Sequence, residues 1–234
     1  SYLQSTLKNG FWPRYYLEDM AWHGQPGFDF LASPMVCFCD IPLSRIGDHI
    51  EFYGSYGIGM RREWAAVNHI NPVVYIAAGN NHFARSLGGM GIYLSQITDE
   101  MVNRKAKRLV QHVMAHIKPI QGRMPLKGKD EVVVKDFYQE SEWRHVATHK
   151  KIAVFLPEKA YRSQEILDAE HATTFEHGLL KFTPTDVNYI FVESDADIPQ
   201  MMAFIQKEMT HCSYEDRMLL MSRVTSLELI RQDV

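Results

Sequence analysis

The chain has 234 residues, of which 46% are hydrophobic and 23% are charged, with a formal net charge of -3. This composition excludes disordered, fibrous and collagen-like proteins, and a chain of this length buries a sizeable core. Apolar runs such as 73–78 are far shorter than the roughly 20 residues of a membrane-spanning helix, so no membrane partner is expected. Three cysteines make no disulfide framework and no secretion signal is visible, so we expect a cytoplasmic protein. The chain begins at Ser1, and native residues are expected before it.

The first part of the sequence predicts a short helix followed by three strands. Leu3 and Leu7 lie one helical turn apart, and Gly10 ends the helix. Buried strands are predicted at 35–39, 56–60 and 72–76, and the glycines of the second strand allow another backbone or a ligand to come close.

A long amphipathic helix follows, capped by Thr98 and continuing to Lys118, where Pro119 ends it. Its buried face is predicted to consist of Met101, Leu109, Val110, Val113 and Ile117.

The remainder alternates strands with two helices. Strands are predicted at 132–138, 142–148, 152–156 and 189–192, and helices at 163–176 and 198–209. Strands grouped around one long central helix predict a single α+β domain over residues 1–234, with a mixed or antiparallel sheet.

Charge is distributed unevenly along the chain. Residues 101–130 contain eight basic residues and one acidic residue, whereas the segments on either side are net negative. Such a segment attracts phosphate groups of a nucleotide or a nucleic acid. Residues 101–130 are therefore a possible nucleic-acid contact, and the candidate phosphate-binding residues are Arg104, Lys105, Arg108 and Lys118. The alternative is an ordinary solvated helix face and a lysine-rich loop.

The densest candidate for chemistry is the segment 137–144. Glu140 and Glu142 are two residues apart, so in an extended chain they project from one sheet face. Like charges this close raise one pKa, which suits a pair in which one carboxylate holds a ribose hydroxyl and the other polarises a nucleophile. The alternative is a structural ion pair with Arg144 at a surface strand end, and the spacing leaves both interpretations open.

A second candidate combines His49, Tyr53 and Tyr56 with glycines at 54, 57 and 59, which would form a flat ligand surface. The glycines do not make the Gly-x-Gly-x-x-Gly pattern of a dinucleotide-binding turn. A core strand with glycines that relieve crowding is the alternative.

No metal is expected. Cys37 and Cys39 lack the usual zinc-ligand spacing, and His112 and His116 have no adjoining glutamate of a metalloprotease motif. Nucleophile-elbow and phosphate-loop motifs are also absent.

Several ordered segments resemble the AbiGi family: residues 7–15, 35–43, 53–59 and 71–75, then Lys118-Pro119, Gly122 and Phe137-Tyr138-x-Glu140-x-Glu142-Trp143-Arg144. The resemblance covers about residues 3–150, and residues 151–234 match only in outline. It implies a bacterial antiviral role in abortive infection, on the antitoxin side of a toxin–antitoxin pair. A cognate toxin or another defence protein is the implied partner.

More distantly, the first helix, the aromatic middle strands and the Glu140-x-Glu142 pair are similar to ADP-ribosyltransferases, including DarT-like toxins. This resemblance implies that fold and NAD as a substrate. It makes Glu142 the catalytic glutamate and Glu140 its partner, and Tyr53 or Tyr56 stacks on nicotinamide. His49 and Arg144 complete the candidate NAD-binding residues, and the first-strand histidine of that fold is expected before Ser1.

Two functions follow as hypotheses. The chain is either an ADP-ribosyltransferase-like enzyme that modifies a nucleic-acid or protein acceptor, or a non-enzymatic antitoxin or sensor that binds a partner protein or nucleic acid. In the second case the segment 140–144 is a structural ion-pair motif.

Overall fold

A computed structural model describes residues 1–24, 29–77, 82–125 and 132–232. Its helices are α1 (Tyr2–Asn9), α2 (Ile46–Tyr53), α3 (Arg62–Val67), α4 (His82–Ser95), α5 (Glu100–Met114), α6 (Glu158–Tyr161), α7 (Gln164–His177), α8 (Ile198–Glu208), α9 (Tyr214–Met221) and α10 (Leu227–Gln232). Its strands are β1 (Arg14–Asp19), β2 (Phe30–Cys39), β3 (Gly57–Met60), β4 (Asn71–Pro72), β5 (Val74–Ile76), β6 (Ile117–Pro119), β7 (Gln121–Pro125), β8 (Val132–Asp136), β9 (Glu142–Val146), β10 (Leu156–Pro157), β11 (Val187–Val192) and β12 (Val224–Ser226). The predicted α+β class is confirmed.

Backbone contacts divide the chain into two compact units. Unit 1 consists of Ser1–Trp12, Asp40–Ile70 and Leu180–Val234, and unit 2 consists of Pro13–Cys39 and Asn71–Leu179. Each unit is therefore built from segments that are distant in sequence. The interpretation of residues 1–234 as one domain stays a prediction.

Unit 1 is built around a three-stranded mixed sheet. Its central strand, β11, pairs in parallel with β12 and antiparallel with β3. Apolar residues of α1, α8 and α9 pack against the sheet in one buried cluster, which includes Leu7, Ile190, Ile205 and Leu220. The hydrophobic effect of this burial holds helices from both ends of the chain on one sheet.

The first helix is confirmed as predicted, and both of its ends have a local cause. The Ser1 side chain accepts a hydrogen bond from the Gln4 backbone N–H, and the Gln4 side-chain oxygen accepts one from the Ser1 amino group, which makes a capping box. At the other end Gly10 has φ +90°, and a Cβ at this position would lie 2.7 Å from the Leu180 carbonyl oxygen. Glycine at position 10 is therefore required by both backbone conformation and space.

The glycines of β3 make room for aromatic rings. A Cβ on Gly59 would lie 2.8 Å from Tyr189 Cδ2, and one on Gly57 would lie 3.2 Å from Phe191 Cδ2. The rings of Tyr189 and Phe191 stack with their centroids 5.9 Å apart. These contacts support the interpretation of β3 as a strand whose glycines relieve crowding.

Unit 2 is built around a five-stranded antiparallel sheet in the order β1-β2-β9-β4, with β10 also pairing with β2. In the register of β2 with β9, Met35 lies opposite Val146 and Cys39 lies opposite Glu142. Because side chains alternate along a strand, Glu142 and Arg144 point to the same face of this sheet. Two small sheets accompany it: β5 with β6 in parallel, and β7 with β8 antiparallel.

Helices cover both faces of the unit 2 sheet. On one face, Leu31 packs against residues of α4, α5 and β6, and Met35 and Val146 pack against Ala115. On the other face, Tyr15, Ala32 and Leu156 pack against residues of α6 and α7. The face that carries Glu142 and Arg144 therefore lies against the α5–β6 segment.

The prediction of one long helix from Thr98 to Lys118 is wrong in its bounds. The cap is Asp99, whose side chain accepts hydrogen bonds from the backbone N–H groups of Met101 and Val102 at 2.9 and 3.0 Å. The helix ends at Met114 because the chain then pairs with β5. Since α4 and α7 have 14 residues each against 15 in α5, a single long central helix is not confirmed.

The predicted buried face of α5 is wrong for Met101, Leu109 and Val113, whereas Val110 packs inward as predicted. Met101, Leu109 and Val113 are exposed, and Ile117 lies beyond the helix. The side that packs inward carries the half-buried Asn103, Ala106 and Val110 and the buried Met114.

Two strand predictions also change. Of the predicted strand 152–156 only Leu156 pairs with β2, although Ile152 and Val154 are buried. A buried apolar run has the same sequence pattern whether or not its backbone pairs with a strand. The predicted strand 132–138 ends at Asp136, because Tyr138–Glu140 forms a 3-10 turn.

Candidate functional site

Six charged side chains of unit 2 form a network of ion pairs, which we call the charged cluster. They come from β1, β6, β8, β9 and the 3-10 turn before β9, and they are Glu18, Lys118, Lys135, Glu140, Glu142 and Arg144. Three are acidic and three are basic, so their formal charges sum to zero.

Arg144 is the centre of the charged cluster and is completely buried, with 0% of its surface exposed. Its Nε donates a hydrogen bond to Glu142 Oε1 at 2.6 Å, and its Nη1 donates to Glu18 Oε2 at 2.7 Å and to the Ala115 carbonyl oxygen at 2.6 Å. Its Nη2 donates to Glu18 Oε1 and, at 3.3 Å, to Glu142 Oε2. A guanidinium with this many partners is rigidly oriented.

The second cation of the charged cluster joins the two predicted carboxylates. Lys118 Nζ lies 2.5 Å from Glu142 Oε2 and 3.0 Å from Glu140 Oε2. The other oxygen of Glu140 lies 2.5 Å from Lys135 Nζ. Every carboxylate oxygen of Glu140 and Glu142 therefore has a cationic partner.

The predicted extended arrangement of Glu140 and Glu142 is wrong. Glu140 ends the 3-10 turn, and Ser141 follows with φ +43° before β9 begins at Glu142. The turn changes the direction of the chain between the two glutamates. It nevertheless brings both carboxylates to Lys118.

The electrostatics of the charged cluster keep Glu142 ionised. Burial alone would raise its pKa, but Arg144 and Lys118 lower that pKa to about 2. Burial would likewise lower the pKa of Lys118, but Glu142 and Glu18 raise it above its ordinary value. Glu142 is therefore not a carboxyl group whose pKa is raised by the pairing, because the two cations outweigh the effect of burial.

Two neighbours of Glu142 also have perturbed pKa values. Its backbone N–H donates to Tyr75 Oη at 2.9 Å, and burial raises the pKa of this tyrosine to about 12. Burial, then repulsion by Glu140 and Glu142, raises the pKa of the Cys39 thiol to about 12. Both groups are neutral at pH 7, so Cys39 lacks the thiolate of a reactive cysteine.

No group of three or more histidine, cysteine or acidic side chains in the described ranges is placed to hold a metal ion. Nor is any helix in this part of the chain long and apolar enough to cross a bilayer.

Comparison with protein families gives a match over most of the chain. The model of a family described as "Putative abortive phage resistance protein AbiGi, antitoxin" matches residues 9–193, a range that includes the whole charged cluster. The chain belongs to the AbiGi family. The resemblance inferred from the sequence motifs is therefore confirmed.

A relative supports the same assignment. The AbiGi-family chain is 28% identical over 251 residues to "Abortive phage resistance protein AbiGi" of Lactococcus lactis subsp. cremoris, with 95% of this chain and 99% of the relative covered. No solved structure matches this AbiGi-family chain. The predicted ADP-ribosyltransferase-like fold is thus not confirmed.

The aromatic residues predicted to bind NAD lie in unit 1 of this AbiGi-family chain. His49 and Tyr53 stack on α2 with ring centroids 4.5 Å apart, and Tyr53 and Tyr56 are exposed. The other predicted NAD-site residues, Glu142 and Arg144 among them, belong to unit 2. A shared role in NAD binding stays a prediction.

The predicted phosphate-binding residues of the AbiGi-family chain lie on two different elements. Arg104, Lys105 and Arg108 lie on α5, where Arg108 also donates a hydrogen bond to the His149 carbonyl oxygen at 2.9 Å. Lys118 instead belongs to the charged cluster, because α5 ends at Met114 and β6 directs this side chain to the sheet. Residues 126–130 of the basic segment lie outside the described residues.

Sequence reasoning missed two members of the charged cluster, Glu18 and Lys135. Glu18 is 126 positions from its partner Arg144, so no local spacing connects them. Lys135 is only five positions before Glu140. A lysine in an apolar strand close to a paired glutamate was the available signal.

Proposed function

We propose that this AbiGi-family chain acts inside the bacterial cell in abortive-infection defence by binding a partner protein, on the antitoxin side of a toxin–antitoxin pair. The observation that supports the proposal most directly concerns Glu142, the residue on which an enzymatic role depends. Both of its carboxylate oxygens are already occupied by hydrogen bonds from buried cations. The word antitoxin in the family description supports the same choice.

A carboxylate that stabilises an oxocarbenium-like transition state has to face the sugar of the substrate. Glu142 Oε1 accepts a hydrogen bond from Arg144, Oε2 accepts from Lys118 and Arg144, and only 2% of the residue is exposed. Its negative charge is therefore already matched by two buried cations. This arrangement favours a structural role for the charged cluster.

One observation favours the enzymatic alternative. Glu142 stays ionised at neutral pH, as a catalytic carboxylate must, and Glu140 shares its contact with Lys118. In this alternative the chain is an ADP-ribosyltransferase-like enzyme with NAD as substrate and a nucleic acid or protein as acceptor. NAD would have to displace Lys118 from Glu142.

Expression in a bacterial host separates the two proposals. An antitoxin leaves growth and cellular NAD unchanged and restores growth when the product of the neighbouring gene, expressed alone, arrests it. Growth arrest by the chain itself, with loss of NAD that Glu142→Gln abolishes, would establish the enzyme and overturn the antitoxin proposal.

A second experiment uses purified protein. Labelled NAD is incubated with the chain in the presence of DNA, RNA and lysate proteins, and the stability of Glu142→Gln is measured by urea unfolding. The proposal predicts no nicotinamide release and a loss of about 3 kcal/mol in Glu142→Gln, because the buried cations lose their counter-charge. The exposed Glu165→Gln on α7 is the matched control and should be neutral. Nicotinamide release by the unaltered chain, abolished in a folded Glu142→Gln, contradicts the proposal.

A further inference from the structure

Helix α5 presents an apolar stripe to solvent. Met101, Lys105, Leu109 and Val113 follow one another at intervals of four residues, so they lie along one side of the helix. Met101 is 77% exposed and Leu109 is 63% exposed, and Val102 and Val113 are also exposed. Methionine, leucine and valine side chains together on one exposed helix side are typical of a binding surface.

Polar contacts fix the orientation of α5 about its own axis, so that the stripe faces solvent. Asn103 Nδ2 donates hydrogen bonds to the carbonyl oxygens of Leu94 and Ile97 at 2.6 and 3.1 Å, and these tie α5 to the end of α4 and the connection after it. On the same side of α5, Val110 packs against the cluster that contains Met114. Turning the stripe inward would break both sets of contacts.

Basic side chains lie within the stripe, at Lys105, and along one edge of it. Helix α5 carries Arg104, Lys105, Lys107 and Arg108 but only one acidic residue, Glu100, although the whole chain has a net charge of -3. An apolar surface with this border is complementary to an apolar surface bordered by carboxylates.

We propose that the stripe and its basic border, which we call the α5 surface, is the docking site for the partner protein, and that the partner presents apolar side chains flanked by carboxylates. This inference rests on the proposed function, and it identifies the surface through which the chain binds its partner. Electrostatic attraction accelerates and orients the encounter, and burial of Met101 and Leu109 supplies most of the affinity.

The composition of the α5 surface favours a protein over a nucleic acid. Proteins that hold single strands stack bases on aromatic rings, and those that hold duplexes contact phosphates with little apolar area. The stripe contains no phenylalanine, tyrosine or tryptophan, and its apolar side chains adjoin the basic ones along one edge. Protein interfaces are enriched in methionine and arginine and have an apolar centre with a polar rim.

The test measures the affinity of the purified chain for the product of the neighbouring gene by calorimetry. Leu109→Ser and Lys105→Glu should each weaken binding by roughly tenfold or more, and the effect of Lys105→Glu should shrink at high salt. The controls are Val134→Ser on β8, which removes another exposed apolar side chain, and Lys159→Glu on α6. Both should bind within about twofold of the unaltered chain.

The outcomes are distinguishable. If all four folded variants bind as tightly as the unaltered chain, the α5 surface is not the docking site, and the antitoxin proposal is left intact. Absence of binding by the unaltered chain overturns the antitoxin proposal and removes the partner named here. Binding of a 20-nucleotide RNA that Lys105→Glu abolishes and Leu109→Ser does not would assign the surface to nucleic acid. A dimer of the chain alone that Leu109→Ser dissociates would assign it to a second copy.

Discussion

Replacement of Arg144 by methionine tests whether the charged cluster holds the unit 2 sheet together. The substitution removes five hydrogen bonds, two to Glu142, two to Glu18 and one to the Ala115 carbonyl oxygen. Breaking a buried ion pair by removing one partner costs about 3–5 kcal/mol, because the remaining charge is buried without compensation. Since a whole domain is stable by about 5–15 kcal/mol, Arg144→Met should bring unit 2 close to unfolding.

Urea unfolding monitored by tryptophan fluorescence measures this loss, and hydrogen exchange of the β2 and β9 amides shows that it is located in the sheet. The matched control is Arg162→Met, which removes an exposed guanidinium that pairs with Glu158 four residues away on α6. That control should change stability by no more than about 0.5 kcal/mol. A loss below about 1 kcal/mol in Arg144→Met would refute the reasoning.

A double variant sharpens the same test. When Glu142→Gln is added to Arg144→Met, a buried anion disappears together with its cation. The loss in the double variant should therefore be smaller than the sum of the two single losses, by about 1–3 kcal/mol. Additive losses would mean that the two side chains do not stabilise each other.

Two further predictions concern acid stability and the end of α1. The pKa of Glu142 falls from 4.5 to about 2 on folding, so its contribution of about 3 kcal/mol is fully present above pH 4.5 and is lost as the pH falls towards 2. Urea unfolding at stepped pH should show this loss in the unaltered chain and much less of it in Glu142→Gln; identical acid profiles would contradict the assignment. Gly10→Ala should lower stability by at least about 1 kcal/mol, because of φ +90° and the contact with the Leu180 carbonyl oxygen. Gly47→Ala on α2 meets no atom within 4 Å and should leave thermal stability unchanged or raise it slightly.

Local signals in the sequence predicted many of the elements well. The first helix and the helix at 198–209 appear close to their predicted bounds, and the strand predicted at 35–39 is the second half of β2. Caps, turn residues and apolar periodicity depend on residues only a few positions apart, so they can be recognised from the sequence alone. Strand pairing depends on distant segments, which is why 152–156 was predicted as a strand although only Leu156 pairs with β2.

The orientation of α5 shows a second limit. The helix has one apolar set at Met101, Leu109 and Val113 and another at Val110 and Met114, and periodicity does not decide which set is buried. The contacts of α5 with the end of α4 decide it. Tertiary packing therefore placed the larger apolar set in solvent, where sequence reasoning expected the core.

The candidate site was predicted in part. Glu140, Glu142 and Arg144 were identified as one constellation, but their burial and pairing were left open because the spacing fits both a surface and a buried pair. Lys118 was assigned to phosphate binding because it follows the basic helix, whereas β6 carries it into the sheet layer. Its ion-pair partner Glu142 is 24 positions away in the sequence, and the periodicity of apolar residues gives no information on pairs so far apart.

The neutrality of the charged cluster has a consequence for how the family diverges. Three carboxylates and three cations balance in a largely buried network, so the loss of one charge leaves an opposite charge uncompensated. Single replacements are therefore disfavoured, and paired replacements that remove one charge of each sign are tolerated. Positions 118 and 140, or 18 and 144, should therefore be retained together or lost together among relatives, although they lie in distant parts of the chain.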